Sequence, residues 1–498
     1  MTLSVLMPVF ALMTSLVASV VLFALPERGF RLRTTINLVA AILKIALVGV
    51  MIWGVAQGRE YEAAFTMVPG VEFVLRADAL SMLFAGLSAL LWLLTTIYAV
   101  GYLEDSPNRS RFFGFFSLCV ASTMGIALAG NLFTFFLFYE MLTLSTYPLV
   151  VHRGTTKALR AGRNYIIYTL TGGAVLLFAI AWLHGLVGDL RFQEGGYFSE
   201  VDPSMQGPLT IIFVLMIVGL GVKAALVPFH GWLPQAMVAP APVSALLHAV
   251  AVVKAGAFGI IRVVFEIYGL EAAKDMGLLA GLSVVAAFTI IYGSTRALYQ
   301  VDLKRRLAFS TVSQVSYIVL GLCLFGPVGV AGGLVHLVHQ GIMKITLFFC
   351  AGNYAETLGV HRIDELDGAG KRMPGTSVAF TLGAFGMIGA PPLAGFITKW
   401  TMGSGALAVG MDWVVAVLVI SSLLNAAYFL PILHRLWFAE QCEPWPHERR
   451  WGRLETSAWL LWPPLITAAL MLVAGLIANL PFSPLSWAEL IVAREVAL

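Results

Sequence analysis

Six ionisable side chains lie deep inside apolar stretches of this chain: Lys44, Glu140, Lys223, Lys254, Lys344 and Lys399. A charge at the centre of a bilayer costs at least ~2.5–3.5 kcal/mol on insertion scales, so residues of this kind usually face a wet interior and mark an ion pathway. The chemistry open to them is the transfer of a proton or cation. Burial favours the neutral form of a lysine, and a nearby carboxylate favours its ammonium. Movement of Glu140 relative to Lys223 therefore switches the lysine between holding and releasing a proton. Repeated along Lys254, Lys344 and Lys399, with His248, His336, His339 and water between them, the same switch makes a lateral relay.

The elements that must hold these groups follow from composition. Of 498 residues, 59% are hydrophobic and only 12% charged, and the mean hydropathy is +0.87. That is too apolar for a soluble protein of this length, and the fold class expected is an all-α polytopic membrane protein. At roughly 20 residues per crossing, the apolar runs predict about fourteen helices, at 3–25, 34–57, 78–103, 112–130, 131–151, 163–187, 208–229, 242–268, 275–298, 306–325, 328–357, 376–406, 411–438 and 457–480. No basic segment or small-residue cleavage site accompanies the first run, which is expected to be retained. Alternate loops hold twenty of the 31 basic residues, from Arg28, Arg31 and Arg33 to Arg449, Arg450 and Arg453, and the opposite loops and tail hold six. By the positive-inside rule both termini then face the outer side of the cell (inner) membrane.

Two of these helices carry their own interruption. Pro228 and Pro234 follow Lys223, and Pro391-Pro392 precede Lys399. Proline removes a helical hydrogen bond and clashes with the turn before it, and broken backbone at membrane depth survives only in a protein interior or beside water. Each interrupted helix has three spans before it and one after it. This predicts two five-helix repeats at 112–270 and 271–440, with helices one to three at 1–111 and helix fourteen plus a tail at 441–498. Five is odd, so adjacent repeats insert in opposite orientations, as in many transporters with discontinuous helices.

The ordered set of motifs resembles a known family. Glu140 in Phe-Tyr-Glu, Lys223 before Pro-Phe-His-Gly-Trp-Leu-Pro, Ala-Pro-Val-Ser-Ala-Leu-Leu-His before Lys254, His339 before Lys344, and Ala-Pro-Pro-Leu-Ala-Gly-Phe before Lys399 are similar to the antiporter-like subunits shared by Mrp cation/proton antiporters, respiratory complex I and membrane-bound hydrogenases. The resemblance spans helices three to thirteen. It implies fourteen helices in two inverted repeats with helices seven and twelve discontinuous, and a pair between Glu140 and Lys223. It also implies onward transfer by Lys254 or His248, and a second site at Lys344 and Lys399 with His336 and His339 nearby. Lys399 replaces the glutamate of the complex I M type, and the chain lacks the length of the L and Mrp A types. A D-like subunit of a sodium/proton antiporter fits best, with a complex I-like or hydrogenase subunit as the alternative. The implied partners are other membrane subunits, protons, a monovalent cation and lipid.

Other features have plainer readings. Cys119, Cys323, Cys350 and Cys442 show no paired spacing, no histidine spacing unites with acids as a metal site would require, and no Gly-rich phosphate loop follows a strand pattern. No cofactor, metal or nucleic acid is expected, and the chain is not an enzyme by itself. Lys44, outside both repeats, is expected to snorkel or to pack against a partner subunit. His230 is a candidate cap for the first break. His336 and His339 share a helix face, but Lys344 lies about 140° further round, so a bulge or a water is needed between them. The charged run 302–306 reads as a solvated loop, and the tail after Pro481 as an amphipathic surface segment. A stand-alone small-solute transporter and a non-conducting scaffold are the readings of other classes.

Overall fold

The computed structural model describes residues 3–68, 70–103, 106–188, 190–198, 203–441 and 443–495. Cys442 lies outside them. The chain opens with α1 (Leu3–Ala24) and α2 (Phe30–Ala56), then an antiparallel hairpin of β1 (Tyr61–Val68) and β2 (Val71–Ala77), pairing Tyr61 with Ala77. Next come α3 (Ala79–Tyr102), α4 (Arg109–Leu128), α5 (Leu132–Val150), α6 (Thr156–Val187), α7 (Pro203–Lys223) and the short α8 (Trp232–Gln235). Then follow α9 (Ala241–Ala249), α10 (Val252–Arg262), which continues as a π-helical turn to Tyr268, α11 (Leu270–Asp275), α12 (Leu278–Leu298) and α13 (Leu303–Leu322). The last third holds α14 (Pro327–Leu358), α15 (Ala369–Arg372), α16 (Pro374–Ile388), α17 (Ala394–Ala408), α18 (Asp412–Trp437), α19 (Ala458–Leu476) and α20 (Pro484–Glu495).

Side chains set several of these starts. Asp78, Asn131, Thr155 and Asp302 each accept a bond from the backbone N–H three residues on and so cap α3, α5, α6 and α13. Asp302 is thus a helix cap, and the run after it opens α13 rather than floating in a loop. Among the described residues, eleven helices are long and apolar enough to cross a membrane. The remaining predicted runs fall on α9 with α10, on α13, whose first turn carries Lys304, Arg305 and Arg306, and on α16 with α17. α14 lies innermost among the eleven long spans, and every residue of the shorter α9 and α10 is buried. Val20, Val39, Phe178 and Leu423 on the outer helices are exposed, as side chains against lipid must be.

Both predicted breaks are present. α7 stops at Lys223, Ala225 takes a left-handed φ of 56°, and Val227–Pro228 is cis. α16 stops at Ile388, Gly389 has φ 96°, and Pro391–Pro392 is cis. A third break has no counterpart in the sequence pattern: residues 249–253 are all alanine or valine, yet the helix is interrupted at Val250 and Ala251. No proline or glycine marks that place. The N–H groups of Val250 and Ala251 both bond to the Leu246 carbonyl, at 3.1 and 2.9 Å, the first closing the last turn of α9 and the second a wider loop that ends it, so both peptide groups stay paired at the break.

α10 approaches the first break closely because Gly256 has no side chain there. A methyl group on it would fall inside the backbone of Lys223 and Ala224. Small residues at such crossings are what bring membrane helices together. Gly256→Leu is therefore expected to push α10 off the break at a cost of about 1–3 kcal/mol, the usual scale of overpacking. A thermal unfolding midpoint unchanged in detergent would contradict this.

Candidate functional site

The first cluster forms where α5 meets the end of α7. Lys223 is the last residue of α7 and is buried, with its ammonium 3.8 Å from Glu140 Oε1. It donates to the Tyr139 carbonyl and lies 3.3 Å from the centroid of the Tyr139 ring. Glu140 Oε1 is buried without a hydrogen-bond partner, and Gly173 on α6 leaves room for its carboxylate. The pair is thus in ion-pair range but not closed by a hydrogen bond. Cations are favoured at helix C-termini, and Lys223 occupies one. The break is completed by Trp232, whose Nε1–H donates to the Val222 carbonyl at 2.7 Å, and by Thr289 Oγ1, which accepts from Val227 N at 3.1 Å. His230, the expected cap, makes no capping bond in that turn; its ring packs edge-on against Tyr292, because the indole already holds the freed carbonyl.

The middle of the molecule holds Lys254 and the histidines. Lys254, in the first turn after the third break, donates to the Leu337 carbonyl of α14 at 2.8 Å. Leu337 lies between His336 and His339, so the lysine on the first half of the chain is hydrogen-bonded to the histidine segment of the second. His339 Nδ1 is 3.0 Å from Thr398 Oγ1 on α17, and its Nε2 has no partner among the described residues. The His336 ring lies against Tyr317 and the His248 ring stacks on Phe348, and neither ring has a hydrogen-bond partner among the described residues. α14 is unbroken, so His339 and Lys344 face different neighbours and do not touch.

The second cluster joins Lys344 to Lys399 through groups that did not stand out in the sequence. Lys344 donates to Ser310 Oγ at 2.6 Å, Ser310 meets the Tyr428 hydroxyl at 2.7 Å, and Tyr428 donates to Asn425 Oδ1 at 2.6 Å. Asn425 Nδ2 donates to the Met387 carbonyl at 2.8 Å, which also accepts from Lys399 at 3.1 Å. Lys399 further donates to the Ile388 carbonyl and to Ser422 Oγ, both at 2.8 Å. Since Tyr428 donates onward, Ser310 donates to Tyr428, and every hydroxyl in the chain points from Lys344 towards Asn425. The signal present in the sequence is a polar set at helical spacing, Ser421, Ser422, Asn425 and Tyr428, in the middle of an apolar span. Lys399 sits on the free carbonyl end of α16, as Lys223 sits at the end of α7.

Two features depart from expectation. Lys44 is fully buried, donates to Ser15 Oγ at 2.6 Å and lies 4.7 Å over the Trp92 ring. It neither snorkels nor waits for a partner subunit, since its own helices supply an acceptor and an aromatic face. The tail forms α20 and docks on the chain itself, Trp487 Nε1 donating to the Ala79 carbonyl at 2.9 Å. At the opposite face, by the basic loops, a cavity of about 680 Å³ is lined by Arg111, His152, Arg153, Glu356 and Arg449 among others. Beside it a second, of about 520 Å³, shares Arg153 and adds Lys157, Arg160, Lys304 and His361. Burial and the Arg111 and Arg153 guanidiniums hold His152 down to about 4, so it is uncharged at neutral pH.

A bundle of this kind, with amines and a carboxylate inside it at the ends of broken helices, defines the class as a multi-pass membrane protein with a charged interior. Residues 129–425 match the model of the NADH:quinone oxidoreductase/Mrp antiporter transmembrane family, and residues 68–113 that of the N-terminus of complex I chain 5. The chain belongs to this family of antiporter-like membrane subunits. It is 34% identical over 461 residues to the NADH-quinone oxidoreductase subunit N of Desulforudis audaxviator, covering 90% of each chain. It is 29% identical over 406 residues to the D subunit of the Na(+)/H(+) antiporter of Bacillus subtilis, covering 81% of this chain and 80% of the other. Among solved structures, a chain of the Mrp complex from Dietzia sp. superposes with a TM-score of 0.87 at 26% identity, covering 100% of this chain and 98% of that one. An N-type relative stands outside the M, L, A and D types weighed on sequence.

Lys399 supplies the donor for two carbonyls at a helix break, so Lys399→Met leaves the Ile388 carbonyl without its donor. An orphaned buried acceptor costs about 1–3 kcal/mol. The variant is expected to unfold at lower temperature than wild type, while Lys399→Arg retains most of the stability. Equal midpoints for wild type and Lys399→Met would show that the ammonium does not hold the break.

Proposed function

We propose that this chain is a proton-translocating subunit of a multi-subunit cation/proton antiporter, of the Mrp D-like type, exchanging protons against sodium. Glu140 and Lys223 form the movable switch, Lys254 carries the proton across to the second half beside His248, His336 and His339, and Lys344 and Lys399 form the second site. The observation that carries this reading is the pair at the first break: two opposite charges at 3.8 Å with a buried carboxylate oxygen left unbonded. A static buried ion pair repays its desolvation only when its geometry is closed and its remaining lone pairs are satisfied. This one meets neither condition, which suits a pair that opens and closes.

The remaining parts of the reading follow from the same arrangement. The eleven long helices, with α9/α10, α13 and α16/α17, make fourteen spans. The inverted units are 112–270 and 271–440, flanked by 1–111 and 441–498. The cavities beside the basic loops serve as the aqueous approach from the inner side, and both termini lie outside. The full-length likeness to a chain of the Mrp complex supports the antiporter assignment. A second reading, a pumping subunit of a redox-driven complex, is favoured by the 34% identity to an NADH-quinone oxidoreductase subunit N.

In vesicles carrying the intact complex, an imposed sodium gradient is expected to drive proton flux. Glu140→Ala and Lys223→Ala should each lower it by about a hundredfold or more, the scale of losing a general acid or base, at unchanged protein level. Glu140→Asp should retain part of the flux, since the charge survives with shorter reach. Wild-type flux in either alanine variant would end the relay reading. Flux that requires a quinone reductant and ignores sodium would move the chain to the redox class.

A further inference from the structure

A second group of buried charges lies at the hairpin end of the molecule, outside the relay. Arg262, the last residue of α10, donates to Asp78 Oδ2 at 2.9 Å and Oδ1 at 3.2 Å, to Ser81 Oγ at 2.7 Å, and to both carboxylate oxygens of Glu266. Arg76 on β2 adds a more distant contact to Asp78, at 3.6 Å. Arg262 and Glu266 are fully buried. Into this group comes Glu495 from the end of α20, itself only 9% exposed, with Oε2 buried and without a hydrogen-bond partner among the described residues. The charges acting on Glu495 are those of Glu266, Asp78, Arg262 and Glu194.

The charges do not balance. Asp78, Glu266 and Glu495 bring three negative charges, and Arg262 and Arg76 bring two positive ones. Arg262 is bonded to Asp78 and Glu266 with only its Nε left over, and Arg76 gives its hydrogen bond to the Phe192 carbonyl, so among the described residues no cation forms an ion pair with Glu495. A carboxylate buried without a counter-charge is relieved by taking up a proton rather than by staying ionised. The site can therefore hold one proton, on Glu495 or shared with Glu266, and reach neutrality. Burial first, and then the negative charges of Glu266 and Asp78, push the Glu495 carboxyl above the usual carboxylate range.

We propose that Glu495 and Glu266, positioned by Arg262 and Asp78, form a proton-binding site at the hairpin end, completed by the docking of α20. Its occupancy does not depend on the transport reading. If that reading holds, the site is the terminus of the path through Lys254, which lies twelve residues before Glu266 along the same helix, about 18 Å at 1.5 Å per residue. The π-helical turn that carries Glu266 is of the kind often found at functional sites.

Infrared difference spectroscopy of the full chain in detergent, titrated from acid to alkaline pH, tests the site without requiring flux. Wild type should keep a protonated-carboxyl stretching band at neutral pH that Glu495→Gln removes and Glu266→Gln shifts. If Glu495→Gln does not fold, Glu495→Asp should keep the band at a displaced frequency. No such band in wild type, the same band in Glu495→Gln, or an undisplaced band in Glu495→Asp would overturn the proposal. Loss of flux in Glu140→Ala with the Glu495 band intact would separate the relay from this site.

Discussion

An ammonium inside a membrane bundle must find a hydrogen-bond acceptor, because neither lipid nor bulk water can supply one. In this protein four lysines inside the bundle solve that problem alike: Lys223, Lys254, Lys344 and Lys399 all donate to main-chain carbonyls of other helices, those of Tyr139, Leu337, Leu307, and Met387 with Ile388. Much of the packing follows from this. α7 must end beside α5, Lys254 of α10 must reach the histidine segment of α14, and α17 must fold back on α16. Gly256 lies against the backbone at the end of α7 and Gly173 of α6 against the Glu140 carboxylate, and neither place leaves room for a side chain.

The breaks and the charges are therefore one design. A severed helix exposes carbonyls that need donors, and a buried lysine is a donor that needs carbonyls. At the second break Lys399 and Asn425 share the Met387 carbonyl, so the end of α16 is satisfied from two helices at once. At the first break the indole of Trp232 takes the Val222 carbonyl. That leaves Lys223 free to turn towards Tyr139 and Glu140. The difference leaves the first site with an ion pair at 3.8 Å not closed by a hydrogen bond, and the second with an extended, polarised chain from Lys344 through Ser310 and Tyr428.

The sequence discloses what depends on residue type against an apolar background. Glu140, Lys223 and Lys344 stand out because a charge in an apolar window is costly, and Pro228 and Pro391-Pro392 because proline cannot continue a helix. What it hides has equally physical reasons. The break at Val250 and Ala251 uses ordinary residues and rearranged hydrogen bonds, with no local marker. The β-hairpin is short and sits between two strong helical patterns. Asp78, Glu266 and Glu495 sit at helix ends and in the tail, where charged residues are common; Arg262 joins the first two only in the fold, and the docking of α20 buries the third. The environment of Lys44 is not legible because its acceptor, Ser15, is 29 residues away.

The central claim is that the Glu140–Lys223 pair opens and closes. The most direct measurement is the structure of the assembled complex at two pH values that straddle its working range, with the separation of the Glu140 carboxylate and the Lys223 ammonium read in each state. The account predicts two arrangements, one near the 3.8 Å seen here and one with Lys223 turned away from Glu140 towards the Lys254 side. A single, unchanged separation in every state would contradict it and leave the pair as a fixed structural element.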